Sequence, residues 1–233
     1  MPEILFSTEF WIAVVQIIMI DIVLSGDNAV VIALACRNLS PEMRRKGILW
    51  GVAGAISLRV VLTMMAALVM NLPWLKLIGG LLLIWIGVKL LLPEDDDGHD
   101  ISPSSHLWGA IRTIIVADFV MSLDNVIAVA GASHGNLSLL VFGLLVSIPL
   151  IIWSSQMILH LMERWPVVVM LGAGLLGWVA GAMIWSDRGL ADLVVQLPSW
   201  MQLVVPALTT MLVIASGQWA MHRQKRGKQR VIE

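Results

Sequence analysis

Seven stretches of apolar residues, each long enough to cross a lipid bilayer as a helix, make up most of the 233-residue sequence. A helix needs about 20 such residues to span the hydrocarbon core. Hydrophobic residues account for 58% of the chain and charged residues for only 13%, whereas soluble globular chains carry about 25% charged residues. We therefore predict an all-α membrane protein with seven transmembrane helices, at residues 10–36, 46–70, 73–92, 107–131, 137–160, 166–185 and 201–221.

Tryptophan and basic residues indicate how the spans cross the membrane. Many of the eleven tryptophans lie near predicted span ends, which is typical of residues at the membrane interface. Lysine and arginine are concentrated in the first loop and in the C-terminal tail, residues 222–233. Because basic loops stay in the cytoplasm, we expect the N-terminus outside and the tail inside. No basic segment precedes the first span, which itself contains two aspartates, so we expect no cleaved signal peptide.

The charged loops and the single cysteine point to no other class of protein. The segment PEDDDGHD lies in an acidic loop, residues 93–106, that we predict to be cytoplasmic. We expect a solvated loop, with metal sensing through His99 and His106 as the alternative. The basic clusters are also expected to be solvated, so nucleic-acid binding is not predicted. Cys36 is the only cysteine, so the chain cannot form an internal disulfide. The sequence has no Ser-His-Asp, metalloprotease or P-loop spacing, so no enzymatic activity is predicted.

A polar motif occurs twice within these apolar spans. The segment DIVLSGDNAVVIA begins at Asp21, and DFVMSLDNVIAVA begins 97 residues later at Asp118, so both copies read Asp-x3-Ser-x-Asp-Asn. The match continues more weakly into the second and third helices of each half. We interpret residues 10–92 and 107–185 as two three-helix repeats, followed by a seventh helix at 201–221, in a single transmembrane domain.

Three spans per repeat give the two copies opposite orientations in the membrane. Inverted repeats recur in secondary transporters, where the substrate site lies near the bilayer midplane between the halves. Inherited packing is the alternative interpretation. However, a charge at the bilayer centre costs about 3 kcal/mol or more, so four buried carboxylates favour a functional site. The glycine-rich sixth span, LGAGLLGWVAGAM, is expected to mediate close helix packing rather than to bind phosphate.

The motif offers carboxylate, amide and hydroxyl oxygens but no histidine or cysteine. Oxygen donors suit Mg²⁺, Ca²⁺ and Mn²⁺, so we predict one metal site that both copies form together. Its candidate ligands are Asp21, Ser25, Asp27, Asn28, Asp118, Ser122, Asp124 and Asn125. The serines could instead bond to their own helices, and the asparagines could link neighbouring helices.

Helical spacing limits what each copy of the motif can do. At about 100° per residue, Asp27 points about 120° away from Asp21 on a regular helix. Either the two carboxylates serve different places, or the helix unwinds near Ser25, which Gly26 would make easier. Leu123 stands at the position that matches Gly26 in the second copy, so we expect unwinding to be harder there.

Charge balance suggests a transport mechanism. Four ionised aspartates around one divalent cation leave two negative charges uncompensated, so some should carry protons or find another cation when the ion is absent. Arg59, near the middle of the second span, is the candidate cation, and Gln156 is its counterpart in the second repeat. We expect a structural ion pair from Arg59 rather than a direct part in transport. Proton release on metal binding would make the protein a metal-for-proton exchanger.

These two segments resemble the doubled Asp/Glu-x3-Ser-x-Asp-Asn motif of the TerC family of bacterial membrane proteins, in particular its YjbE-like branch, within the wider lysine-exporter superfamily. The resemblance covers nearly the whole seven-span chain, and the family motif maps onto the eight candidate ligands. It implies Mn²⁺ export across the cytoplasmic (inner) membrane. Some relatives are linked to tellurite resistance or to metal supply for secreted proteins. Some have glutamate where Asp21 stands.

Two other functions remain open alongside the leading prediction of a divalent-cation exporter, Mn²⁺ foremost, without a resident cofactor. Buried carboxylates could hold the ammonium group of a basic amino acid, which would need a long, partly apolar cavity rather than a compact oxygen cage. Alternatively, a non-transporting scaffold in metal or tellurite stress could recruit partners through the basic tail, residues 222–233. The sequence predicts the lipid bilayer, a metal ion and protons as partners, and it fixes no oligomeric state.

Overall fold

The computed structural model describes residues 8–24, 26–69, 72–92, 103–133 and 136–230. All regular secondary structure in these ranges is helical. Several sequence predictions fall outside them: those for Ser25, for His99, for residues 93–102 of the acidic loop and for the last three residues of the basic tail.

The helices follow one another with short connections. In chain order they are α1 Thr8–Leu24, α2 Gly26–Cys36, α3 Pro41–Met64, α4 Ala66–Val69, α5 Leu75–Leu91, α6 Pro103–Ala132, α7 Leu137–Arg164, α8 Pro166–Trp185, a 3₁₀ turn Arg188–Leu190, α9 Ala191–Val194 and α10 Met201–Arg230.

Five of the described helices are long and apolar enough to cross a membrane. They are α3, residues His106–Val126 of α6, α7, α8 and residues Met201–Met221 of α10. The described residues of the first predicted span lie in α1 and α2, and the third span corresponds to α5, which has 17 residues. The prediction of an all-helical protein with several membrane-spanning helices is confirmed.

Proline marks the start of three long helices. Pro41, Pro103 and Pro166 are the first residues of α3, α6 and α8. At this position the missing N–H of proline costs no hydrogen bond, and its fixed φ suits a helix. The first turns of α3 and α6 are polar, which explains why hydropathy alone placed their starts later, at residues 46 and 107.

The chain forms two compact units, each built from segments of both sequence halves. The first unit comprises Met1–Asn71 and Leu107–Leu159, and the second comprises Leu72–His106 and His160–Glu233. The first unit therefore contains α1 to α4 and most of α6 and α7, whereas α5, α8 and α10 pack together in the second.

Close helix contacts fill the interior of the first unit. A Cβ atom at Gly51 of α3 would come within 2.6 Å of Cδ1 of Ile114 on α6, and one at Gly143 of α7 would come within 2.6 Å of Cγ2 of Ile17 on α1. Ile17 and Ile114 are almost completely buried. Glycine at these two positions therefore lets the helices approach at a distance that a larger residue would prevent.

The second unit is assembled around α8, which packs against both α5 and α10. A Cβ atom at Gly177 would lie 2.8 Å from the Cα atom of Thr210 on α10. Thr209 donates a hydrogen bond to the Gly177 carbonyl at 2.7 Å, and Thr210 donates one to the Gly174 carbonyl at 3.2 Å. The expectation that the glycine-rich span mediates close packing is confirmed.

Asp187, in the loop after α8, organises the start of α5. Its buried carboxylate accepts hydrogen bonds from the backbone N–H groups of Trp74 at 3.0 Å, Leu77 at 3.0 Å and Gly189 at 2.7 Å. Burial by itself would raise the pKa of the Asp187 carboxyl, but these backbone donors outweigh burial and hold its pKa below the ordinary value. The carboxylate therefore acts as a charged helix cap.

Candidate ion-binding site

A buried arginine lies between the first aspartates of the two motifs. Arg59, on α3, is only 3% exposed. Its Nη1 donates to Oδ1 of Asp21 on α1, and its Nη2 donates to Oδ1 of Asp118 on α6 at 2.5 Å. Asp21 and Asp118 are themselves 1% and 6% exposed. The ion pair expected of Arg59 is therefore present, and it joins both motifs rather than one.

Ser122 connects this arginine to the second motif. It lies four residues after Asp118, on the same face of α6. Its hydroxyl accepts a hydrogen bond from Nε of Arg59 at 3.1 Å and donates one to Oδ2 of Asp118 at 3.2 Å. These bonds go to side chains rather than to the backbone of its own helix, so Ser122 orients both charged groups. Its counterpart in the first motif, Ser25, lies outside the described residues.

The second motif lies within the continuous helix α6. On such a helix, Asp124 points about 120° away from Asp118. The structure agrees, because Asp118 is buried against Arg59 whereas Asp124 is exposed and Asn125 is half-buried. The two carboxylates of this copy therefore serve different surroundings, as one of the two alternatives from helical spacing required.

The described residues of the first motif lie on α1 and α2. Helix α1 ends at Leu24 and α2 begins at Gly26. In the first turn of α2, the backbone N–H of Asn28 donates to Oδ1 of Asp27 at 2.9 Å. The first four N–H groups of a helix lack acceptors within the helix, so this carboxylate satisfies one of them. Asp27 is half-buried, in contrast to Asp21.

The side chain of Asn28 is a buried amide without a hydrogen bond to the described part of the chain. It is 3% exposed, and neither its amide oxygen nor its amide nitrogen has a hydrogen-bond partner within the described part of the chain. A buried amide without hydrogen bonds costs roughly 1–3 kcal/mol. A link to a neighbouring helix, the alternative role for this asparagine, is not seen among these residues. Its oxygen therefore remains suited to an external ligand.

The remaining candidates differ in their surroundings. Asp27 is near enough to interact electrostatically with both Arg59 and Asp118. Gln156, the counterpart of Arg59 in the second repeat, is exposed on α7. In the described ranges, no group of three or more histidine, cysteine, aspartate or glutamate side chains is arranged to hold a metal ion. The structure thus brings together Arg59, Asp21, Asp118 and Ser122, and it leaves the second aspartates more open.

Sequence reasoning identified Arg59 as a cation for the site but did not predict that it would contact both motifs. The available signal was a single arginine in the middle of an apolar span, among four carboxylates that needed a positive partner. The Asp187 cap went unrecognised because its carboxylate is more than a hundred residues from Trp74 and Leu77, whose N–H groups it accepts from at the start of α5.

Comparison with known proteins places the chain in a family. Residues 6–225 match the family model described as "Integral membrane protein TerC family". The chain is 44% identical over 206 residues to "Uncharacterized membrane protein YjbE" of Bacillus subtilis (strain 168), which covers 88% of this chain and 94% of that protein. No solved structure matches the chain.

More distant relatives are also membrane proteins. "UPF0053 inner membrane protein YgdQ" of Escherichia coli (strain K12) is 28% identical over 192 residues, covering 75% of this chain and 80% of that protein. "Uncharacterized membrane protein YkoY" of Bacillus subtilis (strain 168) is 23% identical over 188 residues, covering 72% of this chain and 58% of that protein. The family match spans almost the whole chain, so this multi-pass integral membrane protein belongs to the TerC family.

Proposed function

We propose that this protein is a secondary transporter that exports a divalent metal cation, Mn²⁺ foremost, across the bacterial cytoplasmic membrane. The observation that carries the proposal is the meeting of Asp21 and Asp118, at equivalent positions of the two motifs, on one buried arginine. Buried ionisable groups in membrane helices are costly and usually mark substrate or proton pathways. Membership of the TerC family and the transporter-like doubled motif support the same function.

The proposed architecture has seven spans arranged as two inverted three-helix repeats and a seventh helix. The composition of the two units supports it. The first unit contains the first two predicted spans of both repeats. The second unit contains the third predicted span of both repeats together with the seventh span of the chain. The third helices of the two repeats, α5 and α8, thus pack against each other. The N-terminus is proposed to lie outside and the basic tail in the cytoplasm, and relatives are named as inner membrane proteins.

The proposed ion site consists of oxygen atoms from both motifs: Asp21, Ser25, Asp27, Asn28, Asp118, Ser122, Asp124 and Asn125. These donors suit a hard divalent cation. Four ionised aspartates and Arg59 together carry a charge of −3, and a divalent cation reduces that to −1. Proton uptake would provide the same neutralisation when the ion has left, so the proposed mechanism exchanges metal for protons.

Purified protein in liposomes tests this function directly. A metal-sensitive dye and a pH dye inside the vesicles should report Mn²⁺ flux accompanied by opposite proton movement. We expect Asp27→Asn and Asp124→Asn each to abolish the Mn²⁺ flux, because each removes a carboxylate that is accessible to an ion. The matched control is Asp192→Asn, since Asp192 is exposed on the short helix α9 and is far along the chain from both motifs. Flux at the wild-type rate in both motif variants would refute the site.

Export of a basic amino acid is the second candidate, because Asp21 and Asp118 already hold a guanidinium group within the chain. A substrate arginine or lysine would take the place of Arg59 between the same two carboxylates. Counterflow of labelled arginine and lysine in the same liposomes separates the two candidates. Metal flux without amino-acid counterflow supports the cation exporter, and the reverse result supports the amino-acid exporter.

A further inference from the structure

We infer that the two aspartates of each motif have separate tasks. Asp21 and Asp118 hold Arg59 as a fixed counter-ion, and Asp27 and Asp124 are the carboxylates that contact the transported ion. The inference rests on the proposed function and narrows its site: of the four proposed aspartate ligands, only Asp27 and Asp124 contact the ion. Arg59 is then a positioning residue, which acts on the ion through the helices and carboxylates that it holds.

The hydrogen bonds of Arg59 fix it from two helices. Its Nη1 and Nη2 reach carboxylates on α1 and α6, and its Nε reaches the hydroxyl of Ser122. A guanidinium is a planar fork whose donors point in several fixed directions, whereas a lysine ammonium is a compact point charge. Only arginine can therefore join the first aspartates of both motifs in this way. The side chain thereby links α1, which precedes Asp27 in the chain, to α6, which carries Asp124.

Charge favours an ion at the second pair of aspartates. Asp21, Asp118 and Arg59 together carry only one net negative charge. An ion bound to the same two carboxylates would lie beside the guanidinium, and the two cations would repel each other. Asp27 and Asp124 offer two further carboxylates beyond the pair that Arg59 bridges. Arg59 still halves the excess negative charge of the complete loaded site, from −2 to −1.

Exposure points the same way. Asp27 is half-buried and Asp124 is exposed, whereas Asp21 and Asp118 are at most 6% exposed. Asn28, the neighbour of Asp27, adds an amide oxygen that has no hydrogen-bond partner in the described part of the chain. A transported ion must enter and leave its site. The less buried half of each motif is therefore the half that we assign to the ion.

Titration of Mn²⁺ into the purified full-length protein, followed by the electron paramagnetic resonance signal of free Mn²⁺, tests the division. The central variant is Asp21→Asn/Arg59→Gln/Asp118→Asn. It removes the three charges of the ion bridge formed by Asp21, Arg59 and Asp118 and keeps the side-chain shapes similar. We expect saturable Mn²⁺ binding with a Kd raised about 10-fold, the loss typical of groups that support metal ligands from behind. The matched variant Asp27→Asn/Asp124→Asn should show no saturable binding.

Each outcome has a distinct meaning. A folded triple variant that binds no Mn²⁺ would show that Asp21 and Asp118 are ion ligands and would overturn the inference. An unchanged Kd in that variant would show that the bridge is merely structural, which also contradicts a positioning role. Absence of Mn²⁺ binding to the wild-type protein would instead overturn the proposed function, and the inference with it.

Folding is monitored in parallel, because a buried bridge also contributes to stability. We expect Arg59→Gln alone to lower the unfolding midpoint and the triple variant to recover most of the loss, since it leaves no unpaired charge. If the triple variant does not fold, Asp21→Asn and Asp118→Asn are measured singly. Saturable Mn²⁺ binding in both, with none in Asp27→Asn/Asp124→Asn, supports the division, and loss of binding in either single variant overturns it.

Discussion

The two compact units differ in the kind of contact that holds their helices together. In the first unit, a buried arginine and two buried aspartates link α1, α3 and α6. In the second, α8 and α10 are joined by hydrogen bonds from threonine hydroxyls to glycine carbonyls and by a weak one from the Gln218 amide to the sulfur of Met170, and the charged Asp187 lies in a loop. Small residues and weak polar bonds suffice to pack membrane helices. The first unit therefore contains charge that packing alone does not require.

This difference indicates where function resides. Burying an ion pair costs solvation energy that the attraction between the charges only partly offsets. A chain that needed only a stable bundle could use glycine and threonine in both units, as the second unit does. We therefore attribute the charged cluster to the site and the second unit's contacts to its scaffold, and the following changes test that assignment.

The largest expected effect comes from removing the shared cation. Arg59→Met leaves Asp21 and Asp118 buried without their common partner, so we expect the free energy of unfolding to fall by about 3–5 kcal/mol. Thermal or denaturant unfolding in detergent measures it. Arg112→Met is the control, because Arg112 is exposed on α6, and it should change stability little. Equal losses in the two variants would contradict a special role for the buried charge.

A smaller effect is expected from overpacking the scaffold. In Gly177→Val the new side chain meets the backbone of α10 at Thr210, which cannot move aside as a side chain could. We expect a loss of about 1–3 kcal/mol in the free energy of unfolding, together with an unchanged Kd for Mn²⁺ per folded molecule. A changed Kd would show that the second unit also shapes the site.

The control for this change is a glycine with open space around it. A Cβ atom at Gly109 of α6 meets nothing within 4 Å. Gly109→Ala should therefore leave stability unchanged or raise it by up to about 1 kcal/mol, because alanine favours a helix more than glycine does. A loss similar to that of Gly177→Val would mean that glycine matters for reasons other than close contact.

Much of the fold could be predicted from the sequence because its determinants are local. Apolar runs long enough to span a bilayer predicted the long helices, and the spacing of Asp118 and Asp124 predicted that one unbroken helix would direct them apart. The glycine-rich sixth span predicted close packing. In each case the residues concerned are near one another in the chain, so helical geometry alone determines the outcome.

The rest depended on contacts between distant segments. Charge balance showed that the aspartates needed a cation, but four carboxylates were available and only tertiary packing selected Asp21 and Asp118. The composition of the two units, each drawn from both sequence halves, was likewise not predictable from hydropathy. Asp187 illustrates the same limit, because its carboxylate caps a helix that begins more than a hundred residues earlier.

That cap provides the smallest and most specific test of the comparison, since it is a charge that serves only the scaffold. Asp187→Asn keeps one acceptor oxygen, but its amide group cannot accept the second helix N–H, so we expect a loss of about 1 kcal/mol in the free energy of unfolding near neutral pH.

The pKa of the Asp187 carboxyl is lowered in the folded protein. Its stabilising effect is therefore complete above the unfolded pKa of about 4 and disappears as the pH falls through the lower folded value. Unfolding midpoints measured against pH should show the wild type and Asp187→Asn converging under acidic conditions, whereas Asp192→Asn, an exposed control in the same segment, should match the wild type throughout. Mn²⁺ binding by the folded Asp187→Asn variant should be unchanged at neutral pH, because a charge that only caps a helix can be removed without affecting the ion site.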